Sequence, residues 1–156
     1  MTITEEKTKQ ASIEIIEEIK DIPGADNIVA ARVLGYWTVV KRADFKVGDY
    51  CVFIFPDSIV DLTNPHFSFL KKARISIVRL RKFPSWGLAM PISCLPESLY
   101  RTEKGVKEDV SKNGTIIVRS FGEIGWEQVG AGFDATDDLK IVKYEKQIPA
   151  QLAGKV

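Results

Sequence analysis

Residue types that commonly carry out chemistry are sparse in this chain of 156 residues. The two cysteines, Cys51 and Cys94, stand 43 positions apart, and the one histidine is His66. Because no CxxC pair accompanies them, a zinc site built from cysteine and histidine is excluded. Cys51 lies inside the apolar run YCVFIF and is expected in the core. We expect His66, between a proline and a phenylalanine, at the surface or in a helix cap.

The segment GFDATDD contains the carboxylates that could hold a divalent cation, Asp134, Asp137 and Asp138. Their spacing is not that of an EF-hand loop. We favour a structural interpretation, a turn followed by a helix start that Thr136 or Asp137 caps. The chain also contains no GxSxG, GxxxxGK[ST], GxGxxG or HExxH motif. The sequence therefore predicts no catalytic residue and no metal ligand.

The stretch KKARISIVRLRKF, from Lys71 to Phe83, has six positive charges and no negative one, in a chain of formal net charge +1. Guanidinium groups bind phosphate oxygens as planar forks, and exposed aromatic rings stack on bases. Aromatic residues flank the stretch in KFPSWG. The pattern favours a nucleic-acid contact surface, and a strand with a solvated basic face is the alternative.

In a β-strand, alternate residues point to the same face. The apolar residues of this stretch stand first at odd-numbered and then at even-numbered positions. Ile75 and Ile77 share one face, whereas Val78 and Leu80 share the other. A β-bulge near Ile77 or Val78 would turn all four toward the core. With that bulge, we expect Arg79 and Arg81 to emerge side by side, about 7 Å apart.

The rest of the sequence predicts short strands separated by turn signals about every 8 to 12 residues, which is typical of a barrel or sandwich. ASIEIIEEIKDI alternates as a strand with Ile13, Ile15 and Ile19 on one face, although its glutamates also suit a helix. IVAARVLG and WTVVKR predict a hairpin. NPHFSFLKKA predicts a helical turn that Asn64 caps, with Pro65 at its first position. CLPESLY predicts a short helix, and Trp37 is expected in the core.

The composition, 45% hydrophobic and 28% charged, is that of an ordinary globular domain. The N-terminus lacks the apolar segment of a signal peptide, and no run approaches the roughly 18 to 20 apolar residues of a membrane span. We expect an intracellular, monomeric protein with reduced cysteines and no membrane partner.

Three blocks of sequence, in this order, resemble the N-terminal OB-fold module of ATP-dependent RNA ligases of the Deinococcus and Naegleria type. They are IPGADNIVAARVLGYWTVVKRADFKVGDYCVFIFPDSIV, ARISIVRLRKFPSWGLAMPIS and GFDATDDLKIVKYEKQIP. In this family pattern the last block is an exit helix. The resemblance implies a mainly β fold, a five-stranded Greek-key OB barrel with short helices and a C-terminal exit segment.

The resemblance also implies a larger parent protein. The OB-fold domain would span residues 1–146, and residues 147–156 would lead toward a nucleotidyltransferase domain of the same chain. In the family that domain takes AMP from ATP with manganese or magnesium and joins a 3′-OH to a 5′-phosphate. Because no K-x-D-G-like lysine motif is present, we expect no catalysis and no cofactor in this domain.

The implied partners are RNA, as the 3′-OH side of a nicked duplex, and the nucleotidyltransferase domain. We expect the following RNA-contacting residues: Arg79, Arg81 and Lys82 on phosphates, Lys71, Lys72, Lys41 and Arg42 as flanking charge, and Trp86 and Phe83 as stacking rings. The alternative for Trp86 is that it closes the end of the barrel. Two further hypotheses stay open, a module that docks on the catalytic domain and a stand-alone tRNA-binding OB protein. The sequence predicts no role for the insertion over residues 101–126.

Overall fold

The computed structural model describes residues 9–80, 82–102 and 116–144. Its strands are, in chain order, β1 Ala11–Ile15, β2 Glu18–Asp21, β3 Ile28–Val33, β4 Tyr36–Lys41, β5 Tyr50–Ile54, β6 Ser58–Ile59, β7 Arg74–Ile75, β8 Val78–Leu80, β9 Phe83–Ser85, β10 Leu88–Met90, β11 Tyr100–Thr102, β12 Ile117–Ser120, β13 Trp126–Val129 and β14 Val142–Lys143. The 3₁₀ helices of this part are η1 Pro65–Phe67, η2 Ile92–Cys94 and η3 Gly122–Ile124. No helix in the described residues is long and apolar enough to cross a membrane.

Five strand positions form a closed circuit. Antiparallel pairing gives the orders β1–β5–β10 and β2–β3–β4. The chain passes from one sheet to the other directly after β1, where Ile16 N–H bonds to Asp49 O and Glu17 N–H bonds to Arg32 O. On the other side, Trp86 N–H donates to the carbonyl oxygen of Trp37 at 2.9 Å, which places β9 and β10 beside β4. The circuit β1/β2–β3–β4–β9/β10–β5 is the Greek-key order of an OB barrel, and the predicted fold class is confirmed.

Strand β5 is buried on both faces. Cys51 and Phe53 belong to the apolar cluster inside the barrel, and Val52 and Ile54 belong to a second cluster. The second cluster packs β5 against η1, η2, the β11–β12–β13 sheet and the turn after residue 134. Burial on two sides explains why YCVFIF is continuously apolar rather than alternating.

The first predicted strand is confirmed, but the prediction that Ile15 shares the buried face of Ile13 is wrong. Ile13 is fully buried, whereas Ile15 is 37% exposed and Ile16 is only 1% exposed. The face changes because the chain leaves its pairing with β5 at Ile16 and joins β3 from Glu18 onward.

The predicted hairpin is confirmed as β3 and β4. Its connection is Leu34–Gly35, with φ values of 54° and 81°. Two successive residues with positive φ are what a two-residue type I′ hairpin turn requires. The helical turn of NPHFSFLKKA is likewise confirmed as η1, because the side chain of Asn64 accepts a hydrogen bond from His66 N–H at 2.9 Å.

Two predicted helices are wrong. Residues of CLPESLY form the end of η2 and a turn in which Tyr100 N–H bonds to Pro96 O, directly before β11. The segment after Asp134 is a turn, and the Thr136 hydroxyl accepts hydrogen bonds from the N–H groups of Gln10 and Ala11. Thr136 therefore caps the start of β1 rather than a helix. The predicted domain boundary at 146–147 lies outside the described residues and stays a prediction.

Candidate nucleic-acid interface

The basic stretch does not form one bulged strand. It is interrupted after Ile75, because β7 pairs with β6, whereas β8 pairs with β9 in a separate hairpin. Ile75 is buried at 5% exposure, but Ile77 and Val78 are each 46% exposed. The predicted inward packing of Ile77 and Val78 is therefore wrong. Arg81 and the side chain of Leu80 lie outside the described residues, so the side-by-side position of Arg79 and Arg81 stays a prediction.

The β8–β9 hairpin is attached to the barrel through Ser85. This buried hydroxyl accepts a hydrogen bond from Val39 N–H at 2.9 Å and lies 3.3 Å from the Thr38 hydroxyl. Residues directly opposite each other in an antiparallel pair share a face. Arg79 pairs with Pro84 and therefore lies on the face opposite Ser85. The hairpin thus presents Arg79 to solvent while its other face contacts β4.

Four predicted contact residues are exposed and have no ion pair with a carboxylate of the described residues. Lys71, Lys72, Arg79 and Lys82 form no ion pair with any acidic side chain among residues 9–80, 82–102 and 116–144. Lys82 stands at the tip of the hairpin with a φ of 68°. Their charges are therefore not neutralised by the described part of the domain.

Arg74, in the same stretch, has a structural role. Its guanidinium donates to Asp57 Oδ1 through Nε at 3.2 Å and through Nη2 at 2.7 Å. It also lies over the ring of Tyr144, 3.8 Å from the centroid. Since Tyr144 N–H bonds to Asp57 O at 2.7 Å, Arg74 helps to hold β14 against β6.

The two residues of the second predicted basic patch, Lys41 and Arg42, also differ in whether they have a partner within the domain. Arg42 donates to Asp26 O at 2.9 Å and pairs with Asp21 Oδ1 at 2.9 Å. It therefore stabilises the connection between β2 and β3. Lys41 is exposed at the end of β4, opposite Ile28. Of the two residues, only Lys41 is left for a partner outside the described residues.

The two predicted stacking residues differ in exposure. Trp86 is 39% exposed, and its ring centroid lies 6.2 Å from that of Tyr36, which stacks on Phe53 at 5.5 Å. Phe83 is half-buried. Trp86 therefore joins an aromatic cluster at the end of the barrel while one part of its ring stays open. Trp37, expected in the core, is half-buried beneath the Lys20 ammonium, 4.7 Å from the ring centroid.

A groove of about 430 Å³ on the outside of the barrel was not predicted. It is lined by residues of β3, β4 and β10, of the turns that follow β4 and β10, and of the region around η1: Ile28, Val39, Val40, Lys41, Asp44, His66, Phe69, Leu88, Ala89, Met90 and Pro91. Phe69 is 61% exposed, although Phe67 beside it is fully buried. The i, i+3 pattern of Phe67 and Leu70 indicated the helical turn, and Phe69 was the apolar residue that this pattern left unassigned.

Two carboxylates of the acidic segment, Asp134 and Asp138, have hydrogen-bond partners within the fold. Asp134 Oδ1 accepts a hydrogen bond from Thr136 N–H at 2.9 Å, and Asp138 binds Arg119. No three His, Cys, Asp or Glu side chains converge in the described parts of the chain in a way that could hold a metal ion.

Asp138 belongs to a partly buried network that sequence reasoning missed. Arg119 donates to its two oxygens, at 2.8 Å from Nε and 2.6 Å from Nη2, and the Tyr100 hydroxyl donates at 2.5 Å. Burial alone would raise the pKa of Asp138, but these hydrogen bonds outweigh burial and lower it. Burial and the bond to Asp138 raise the pKa of Tyr100. The bond to Asp138 also raises the pKa of Arg119. The network joins β11 and β12 to the turn after residue 134.

Comparison with known proteins agrees with this architecture. A family model described as an OB-fold domain matches residues 10–92, just over half of the 156 residues. The chain belongs to this OB-fold family. No protein among those with curated functions matches it in sequence.

Solved structures of an RNA ligase from Naegleria gruberi are also similar. The ligase with PPi is 27% identical with a TM-score of 0.66, covering 90% of this chain and 36% of that chain. A point mutant of the ligase with ATP and Mn is 29% identical with a TM-score of 0.61, covering 90% and 36%. The resemblance to an OB domain of an RNA ligase is therefore confirmed. The chain spans 36% of the length of these ligase chains.

Proposed function

We propose that this chain is an accessory OB domain of an ATP-dependent RNA ligase that helps to engage the 3′-OH strand of nicked duplex RNA. The observation that carries the proposal is the set of four exposed basic residues without a described carboxylate partner. They are Lys71, Lys72, Arg79 and Lys82. Residues 1–146 form the accessory domain in this proposal, and residues 147–156 lead toward the rest of the ligase.

Physical chemistry supports RNA as the partner. Four cations within one connection between β5 and β10 create a local positive field although the net charge of the chain is only +1. An RNA duplex presents phosphates and 2′-OH groups across a wide, shallow minor groove, which a barrel surface can contact without entering a deep groove. In this proposal ATP and a manganese or magnesium ion act in the nucleotidyltransferase domain of the parent ligase.

A salt titration tests the proposal. Fluorescence anisotropy with a labelled nicked RNA duplex gives the dissociation constant of the chain between about 50 and 200 mM salt. Each phosphate contact contributes roughly 0.7 to 0.9 to the log–log slope. Replacing Lys71, Lys72 and Arg79 with alanine is therefore expected to lower the slope by about two to three units.

The matched control is Arg32→Ala. Arg32 has a side-chain exposure of 44% and is paired with Glu17 and Glu18, so its removal is expected to leave the slope unchanged. A triple variant with the wild-type slope would refute this choice of contact surface.

A second candidate function is docking on the ligase catalytic domain. Ile77 and Val78, each 46% exposed beside the basic residues, favour it because interfaces with nucleic acid are more polar than interfaces between proteins. No measurable binding of the RNA duplex at about 50 mM salt, together with binding to a separately purified nucleotidyltransferase domain, would favour docking over RNA contact.

A further inference from the structure

The groove beside Phe69 is a feature that the proposed function does not use. We propose that it binds one unpaired RNA nucleotide, whose neighbouring phosphates lie on the basic connection that follows Phe69. This inference rests on the proposed function and extends it. A nicked duplex keeps all of its bases paired, so the groove adds a further substrate class: RNA whose 3′-OH strand also carries an unpaired nucleotide.

The floor of the groove is apolar and belongs to the outer wall of the barrel. Val40 and Ala89 face the interior cluster, so the neighbouring positions in β4 and β10 face outward. Val39 and Leu88 supply half-buried side chains of this kind in the groove, whereas Met90, which also lines it, is 7% exposed and belongs to the second core cluster. A volume of about 430 Å³ lies within the range of about 300 to 1,000 Å³ that is usual for small-ligand sites. A flat base therefore fits this floor better than a chain of hydrated phosphates does.

Phe69 lines one side of the groove and stands on a hydrogen-bonded backbone. Its neighbour Phe67 is fully buried, and Leu70 packs against the same core cluster. Phe67 N–H bonds to Asn64 O at 2.9 Å, and Leu70 N–H bonds to Phe67 O at 3.1 Å. Because the backbone on both sides is fixed, only the side-chain torsions of Phe69, whose ring is 61% exposed, have to be ordered when a base stacks on it. Exposed aromatic rings with this support are the usual platforms for single-stranded nucleic acid.

Polar groups at the edge of the groove match the rest of a nucleotide. Lys41 is exposed there, and Lys71 follows Phe69 by two positions, so cations are available for the phosphates. Asp44 and His66 also line the groove and offer hydrogen bonds to a base edge or a 2′-OH.

A paired base cannot use this groove, since its faces are stacked and its Watson–Crick edge is occupied. The groove therefore predicts a preference for single-stranded or gapped RNA over a fully paired duplex with the same number of phosphates.

The test compares two RNAs in anisotropy titrations with the 156-residue chain, one single-stranded and one a blunt duplex with the same number of phosphates. Phe69→Ala is expected to weaken binding of the single strand by about fivefold to 150-fold, the effect of losing one stacked base. Binding of the duplex is expected to change by less than about twofold. The matched control is Ile124→Ala, since Ile124 is 75% exposed on η3 and does not line the groove.

Equal binding of the single strand by Phe69→Ala and Ile124→Ala, with a salt slope that still depends on Lys71, would overturn the groove inference and leave the proposed function standing. Absence of binding to the single strand would overturn the groove inference, and absence of binding to the nicked duplex as well would also remove the proposed function.

Methyl NMR of the wild-type chain gives a second readout that does not depend on a variant. Single-stranded RNA is expected to shift the methyl signals of Val39 and Met90. If those signals instead shift when residues 145–156 are removed, the groove holds a segment of its own chain and the inference is wrong.

Discussion

Replacing Asp138 with asparagine tests how the second sheet is held to the turn after residue 134. Asparagine keeps the size of the side chain but removes the charge that binds Arg119. The side chains of Arg119 and Asp138 are only 18% and 11% exposed. Arg119 also lies among aromatic rings, 5.0 Å from that of Phe121 and 5.6 Å from that of Tyr100. The variant therefore leaves a guanidinium group largely buried without its carboxylate.

The magnitude follows from the geometry. Breaking a buried pair by removing one partner costs about 3 to 5 kcal/mol, and a hydrogen bond to a charged group contributes about 1.5 to 3 kcal/mol. Because both side chains retain some contact with water, we expect Asp138→Asn to lower the free energy of unfolding at pH 7 by about 3 kcal/mol. Urea denaturation followed by circular dichroism measures this change.

The pH dependence provides a second signature. The folded-state pKa of Asp138 lies below the ordinary value of 3.8, so its contribution to stability is present above about pH 4. The contribution is lost as the pH falls below that value through the folded pKa. The difference in stability between wild type and Asp138→Asn is therefore expected to shrink from about pH 4 downward.

Glu18→Gln is the matched control, because it also converts a carboxylate that binds an arginine into an amide. Glu18 and Arg32 are each 44% exposed and lie 3.4 Å apart. We expect this exposed pair to contribute at most about 1 kcal/mol. If the two variants lose the same stability, or if the difference at Asp138 persists at low pH, the account of the network is refuted.

Two further predictions concern the interior of the domain. Gly87 has a φ of +76°, and a Cβ there would lie 2.7 Å from Phe53 Cζ and 2.6 Å from a backbone carbonyl oxygen, whereas Gly35, at φ +81°, has nothing within 4 Å. Gly87→Ala is therefore expected to destabilise the protein by about 1 to 3 kcal/mol more than Gly35→Ala in thermal unfolding, and equal losses would show that the close approach is unimportant. Burial raises the pKa of both thiols, to about 12 for Cys94, so neither Cys51 nor Cys94 is expected to react with an aromatic disulfide reagent at pH 8 until urea unfolds the protein. A thiol that reacts in the native state would contradict their burial.

Local sequence determined most of the elements. The turn between β3 and β4 follows from two β-rich runs separated by a short glycine-containing connection, and the Asn64 cap follows from Asn-Pro before an apolar residue. These features are recoverable from sequence because each depends on residues only a few positions apart. The order of the three resembling blocks predicted the OB fold and the likeness to an RNA ligase. The comparisons confirm both.

Tertiary structure alone decided what each basic residue does. Arg74 and Asp57 are 17 positions apart, and Arg119 and Asp138 are 19 apart, so no local pattern showed that either arginine has a carboxylate partner. The same limit applies to burial: parity placed Ile77 in the core, but the chain leaves one sheet and starts another hairpin there.

The groove beside Phe69 has the same origin, since β3, β4, β10 and the η1 segment meet only when the barrel closes. Sequence alone determined that the region from Lys71 to Phe83 is positively charged. Which of those charges stay free, and what surface lies beside them, depended on long-range packing, because remote segments supply the partners.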